Sequence, residues 1–141
     1  MLKKEIKIIR DSIGDDEILF EIVISNESNL ASISFEGQPD IFKKFAEELL
    51  TFPKKMDSEI KFEYQFKGYY SILLRVFCHN INGHVALHVK VSSSGYRPRE
   101  EIYHNSSEFY ILTVPVLINQ LGELLKKWNP ITENEMIWTA E

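Results

Sequence analysis

The feature that most constrains this chain is an alternation of apolar and polar residues running from Glu59 to Ser92. Ile60, Phe62, Tyr64 and Phe66 alternate with Lys61, Glu63, Gln65 and Lys67. A period of two puts one set on each face of a β-strand, whereas a helix would scatter the apolar set around its circumference. Gly68 permits a turn. The next strand carries Ile72, Leu74, Val76 and Cys78 on one face, and the following one carries Val85, Leu87, Val89 and Val91. Between them lies Asn82-Gly83, the pair best suited to a two-residue type I′ turn, where both central residues need φ > 0. A turn at those two residues predicts that Val76 faces Val89, Cys78 faces Leu87 and Leu74 faces Val91.

A hairpin cannot bury its apolar face alone, so the rest of the chain must cover it. Ile6 and Ile8, then Ile18, Phe20, Ile22 and Ile24, then Ala31, Ile33 and Phe35 again recur at every second position, which predicts three more strands. Gly14-Asp15-Asp16 and Ser25 to Asn29 supply turn chemistry between them. From Pro39 the period lengthens, and Ile41, Phe42, Phe45, Leu49 and Phe52 form one helical stripe that Pro53 ends. Pro115 opens a second helix with Leu117, Ile118, Leu121, Leu124, Leu125 and Trp128. Lys126 and Lys127 suit its negative C-terminal end, and Pro130 closes it. Ser92-Ser93-Ser94-Gly95 reads as a flexible connection and Tyr96 to Ser107 as a long surface loop, with a short edge strand near Ile102-Tyr103. Phe109 to Leu112 is extended again, and Met136, Ile137 and Trp138 predict a docked tail.

The order predicts an α+β fold, an antiparallel sheet of about six to seven strands with two amphipathic helices, as a single domain over residues 1–141. Residues 31–53 and 109–130 share a strand-proline-helix plan, the pattern a faded internal duplication would leave. With 141 residues, 44% of them hydrophobic, the chain can build a core without a disulfide or metal staple. Its single cysteine, Cys78, fits a reducing cytoplasm. No apolar run approaches the ~18 residues of a membrane span, and Met1 to Glu5 lack the apolar core of a signal peptide. A soluble cytoplasmic protein is the expectation. The net charge of −5 disfavours nucleic acid and anionic membrane as partners.

Catalytic motifs are missing. His79, His84 and His88 lie close together, but His84 and His88 are about 13 Å apart on a regular strand, too far for one metal to bind both. They read as solvent-side or interface histidines. Cys78 reads as a small buried hydrophobe. No GxSxG, GxGxxG or GxxxxGK[ST] is present, so neither a catalytic residue nor a cofactor is expected. Arg97 and Arg99 with Tyr96 and Tyr103 form a basic and aromatic cluster in the long loop. The acidic residues most available to a partner are Asp15, Asp16 and Glu17 in the first turn and Glu100 and Glu101 in that loop, with Tyr96 and Tyr103 as aromatic anchors.

The arrangement of Phe35 to Phe52, then paired strands carrying Asn82-Gly83-His84-Val85, then Phe109 to Trp128 resembles small bacterial immunity proteins of the WapI-like type. Only Gly83, His84 and Val85 carry over from that family. The resemblance implies binding and no reaction, and it supplies no toxin-contacting residue. The expectation is therefore a non-catalytic binding protein, an immunity protein that neutralises a cognate toxin, its partner a protein with a basic surface. The alternative is a small enzyme or small-ligand domain with a pocket between sheet and helices. A structural or accessory subunit is a third class.

Overall fold

The computed structural model describes residues 2–66, 70–94 and 104–141. The strands are β1 (Glu5–Ile13), β2 (Ile18–Ser25), β3 (Leu30–Gly37), β4 (Glu59–Phe66), β5 (Tyr70–Cys78), β6 (Val85–Ser94), β7 (His104–Thr113) and β8 (Glu135–Thr139). The helices are α1 (Lys43–Leu50), between β3 and β4, and α2 (Pro115–Lys127), between β7 and β8. The fold is α+β, as the alternation predicts, but its strands divide into two antiparallel sheets ordered β3-β2-β1-β8 and β4-β5-β6-β7. In both, the last strand of a meander leads into a helix. The apolar tail completes the first sheet as β8, setting Trp138 opposite Ile6 and Met136 opposite Ile8.

Both sheets and both helices share one core. Ile6, Ile8, Phe20, Ile22 and Ile24 from the first sheet and Ile72, Leu74, Val76, Leu87 and Ile111 from the second are all buried. Aromatic rings join the layers. Phe42 lies 5.0 Å from Phe62 and 5.4 Å from Phe20, and Phe20 lies 6.0 Å from Trp128. Each such pair adds about 0.5–1.5 kcal/mol beyond the burial of its surface. Gly122 lets α2 approach α1 so closely that a Cβ there would meet the Ala46 carbonyl oxygen at 2.9 Å. Asn119 on α2 donates to the carbonyls of Leu49 at 2.8 Å and Phe52 at 2.9 Å, satisfying groups left open where α1 ends.

The hairpin register differs from the predicted one by two residues. Val76 faces Leu87, Cys78 faces Val85 and Leu74 faces Val89. A slip of two keeps every side chain on its own face, so the hydrophobic pattern cannot choose between the registers. The loop chooses. His79 N–H donates to the His84 carbonyl at 2.8 Å, closing a four-residue loop in which the Asn80 side chain accepts from the Asn82 N–H at 2.9 Å. Gly83 keeps the positive φ, at 85°. The asparagine side chain thus outcompetes the tighter turn.

Two stretches read as irregular are partly strand. Ser92, Ser93 and Ser94 continue β6, and His104 to Ser107 begin β7, paired with them through Ser92↔Ser106 and Ser94↔His104. Serine is a weak strand former, and the pairing across the sheet overrides that preference. The strand suggested near Ile102-Tyr103 lies outside the described residues.

Candidate functional site

A groove opens between the outer edge of β3 and the end of the β4–β5 hairpin. It encloses about 520 Å³, with β3 from Ser32 to Glu36 along one side and Tyr64, Phe66 and Tyr70 along the other. Phe66 and Tyr70 stack with ring centroids 5.7 Å apart. A second hollow, of about 300 Å³, shares Leu19 and Glu36 with the groove and continues it to Asp15, Asp16 and Glu17 in the β1–β2 turn. The combined surface therefore runs from aromatic to acidic. Tyr64 lies where the two join, and its hydroxyl donates to the Glu36 carbonyl at 3.0 Å. Burial pushes the Tyr64 phenol above its usual pKa, and Glu17, Glu36 and Tyr70 push it the same way.

A denser cluster of polar chemistry sits on the outward face of the second sheet. His88, read from the sequence as a solvent-side or interface histidine, lies on that outward face but is only 8% exposed because its neighbours cover the ring. Its Nε2 lies 2.6 Å from a Glu108 carboxylate oxygen, and its Nδ1 accepts from the Arg75 guanidinium at 3.4 Å. The ring stacks on Tyr110 at 4.7 Å, and Arg75 reaches Glu59 at 3.6 Å and lies over the Phe77 ring. Both imidazole nitrogens thus have protein partners. The array works as a cross-strand bolt, made by registers that place His88 beside Arg75 and Tyr110. His84 is held separately, with Nδ1 3.2 Å from Asn80 Oδ1.

Beside the bolt, Phe77, His79, Ala86, Tyr110 and Leu112 line a concavity of about 520 Å³ that Lys4 and Glu27 close. Where α1 ends against β4 there is only a hollow of about 200 Å³, smaller than most small-molecule sites. Among the described residues, no three or more His, Cys, Asp or Glu side chains are grouped to hold a metal ion. No described helix is long and apolar enough to cross a membrane.

Of the residues singled out from the sequence, Asp15, Asp16 and Glu17 are exposed and line the acidic end of the groove. Tyr96, Glu100, Glu101 and Tyr103 lie outside the described residues, as do Arg97 and Arg99. Cys78 is a half-buried free thiol packed against the core. Glu36, Tyr64 and Tyr70 escaped the sequence reading, because each looks like an ordinary member of an alternating strand. Only the approach of the two sheets assembles them. No protein-family model matches the chain, and no curated protein matches it either.

Proposed function

We propose that the chain is a non-catalytic binding protein that receives a basic protein partner at the groove beside β3. The observation that carries this reading is the convergence of Asp15, Asp16 and Glu17 with Glu36 and the aromatic side chains of the β4–β5 hairpin on one concave surface. Tyrosine supplies rigid contact area, and clustered carboxylates steer a basic partner into place at a net charge of −5.

In its most concrete form this is a cytoplasmic immunity protein that covers a toxin's basic surface, a form that rests on the sequence resemblance. The test is co-expression and co-purification with the product of the adjacent gene, using wild type and the triple variant Asp15→Lys, Asp16→Lys, Glu17→Lys. Protection and co-purification by wild type, lost on charge reversal, are the expected results. Absence of both with wild type removes the immunity form, and binding unaffected by charge reversal removes the groove.

A further inference from the structure

The outer edge of β3 is chemically different from the edge of the second sheet at β7. On β7, the carbonyls of Tyr110 and Leu112 are covered by side-chain donors, from Asn26 at 2.9 Å and Lys4 at 3.4 Å. On β3, the alternation of the ladder decides which groups face outward. Asn26 N–H donates to the Asn29 carbonyl at the head of the β2–β3 hairpin. Counting on from that bonded pair, Ala31, Ile33, Phe35 and Gly37 direct their main-chain groups to β2, and Ser32, Ser34 and Glu36 direct theirs outward. The Tyr64 hydroxyl on the Glu36 carbonyl confirms this parity independently. Among the described residues nothing bonds the outward N–H and C=O of Ser32 and Ser34.

Exposed edges are usually blunted by lysine, proline, a bulge or a covering element. β3 reads Leu-Ala-Ser-Ile-Ser-Phe-Glu-Gly, without lysine or proline, and its register with β2 is unbroken from Leu30 to Gly37. Its outward side chains Ser32 and Ser34 are small and exposed, so a second backbone can come close. Among the described residues no element covers this edge, and a groove lies beside it.

We propose that β3 accepts an extended segment of the partner as an added strand, pairing at Ser32 and Ser34 and carrying a basic side chain onto the carboxylates of Asp15, Asp16, Glu17 and Glu36. This rests on the binding reading and gives its mode. Main-chain bonds supply a register-specific anchor, and the acidic end selects the partner's charge. Tyr64 stops the added strand by occupying the Glu36 carbonyl. A second copy of the chain is disfavoured as occupant by its own net charge of −5.

The test is amide hydrogen exchange read by NMR at Ser32 and Ser34, with three probe peptides in millimolar excess. The first is an acetylated heptapeptide of alternating Thr and Val with Arg at each end. The second carries Glu for Arg, and the third is the first with alternate amides N-methylated. The Arg probe should slow exchange at both serines by roughly tenfold or more, and the other two should not. Ser34→Pro should abolish the effect while Ile33 and Phe35 keep their protection, since the lost N–H faces away from β2. Should that variant fail to fold, the N-methylated probe decides alone.

Unchanged exchange with the Arg probe overturns the proposal, as does slow exchange in the free protein. Slowing that tracks protein concentration without probe marks self-pairing and overturns it too. Partner binding that survives Ser34→Pro but not charge reversal at residues 15–17 removes strand addition and leaves the binding reading standing.

Discussion

The side-chain amide of Asn26 donates to the carbonyl of Tyr110 at 2.9 Å, tying the β2–β3 turn of one sheet to the edge strand of the other. The same residue holds its own turn, because its Oδ1 accepts from the N–H groups of Ser28 at 3.0 Å and Asn29 at 2.8 Å. Asn26 is buried, so its side-chain amide depends on these partners for its hydrogen bonds. Asn26→Asp keeps the turn acceptor but sets a carboxylate oxygen against the Tyr110 carbonyl where the donor stood, and should cost about 2 kcal/mol or more. Asn26→Ala loses both bonds without that repulsion and should cost about 1–2 kcal/mol. Urea unfolding of the two variants measures the difference, and equal midpoints would contradict the division of roles.

Gly122 should tolerate no side chain. A Cβ there would stand 2.9 Å from the Ala46 carbonyl oxygen and 2.9 Å from Leu49 Cβ, and backbone cannot yield as a flexible side-chain tip can. Gly122→Ala would ordinarily favour a helix, but here it should destabilise by about 2 kcal/mol through forced separation of α1 and α2. A raised melting temperature would show that the helices adjust freely.

The β5–β6 loop makes a complementary prediction. Gly83 has φ of 85° and nothing within 4 Å of where a Cβ would stand, so substitution there costs backbone strain and no clash. Gly83→Val should lose roughly 1 kcal/mol or more, and Gly83→Asn much less, because asparagine enters the left-handed region readily. Similar losses for valine and asparagine would point to packing instead.

Tyr64 gives a dependence on pH. An acid whose pKa is raised by folding keeps its proton in the native state after the unfolded chain has lost it. Its stabilising contribution is therefore whole below the unfolded value, about pH 10, and is lost as pH climbs through the higher folded value. Tyr64→Phe should be less stable by about 1 kcal/mol at neutral pH, through the lost bond to Glu36. Its stability should also fall less steeply above about pH 10 than that of wild type. Parallel curves would show that Tyr64 titrates as it does in the unfolded chain.

Legibility from sequence followed the range of the forces involved. Faces of strands were legible because a period of two is local, and α2 was legible because Pro115 and the stripe from Leu117 to Trp128 lie within one segment. Partnership was less so. Alternation in β1 to β7 cannot say which strand ends a sheet, so one sheet was expected where two form. β8 has just two inward residues, Met136 and Trp138, too few to show a period. His88 looked exposed because its face is polar, and Glu108, which covers it, lies twenty residues away across a pairing that the long loop concealed. The groove was half legible, since turn carboxylates announce themselves but Tyr64 and Glu36 meet only through tertiary packing.

The pairing of β8 with β1 also bears on how the molecule reaches this structure. Glu5 sits opposite Thr139, and the Ala140 N–H donates to the Lys4 carbonyl at 2.9 Å, so these contacts join segments separated by nearly the whole described chain. Loop closure of that length brings no reward until most intervening elements are in place. The second sheet, built entirely from sequential neighbours, can form early, while the edge of β1 waits for its last partner. Until then the first sheet exposes two unpaired edges, β1 and β3. Aggregation during refolding should therefore respond most strongly to changes in Met136 and Trp138, which bring that final strand home.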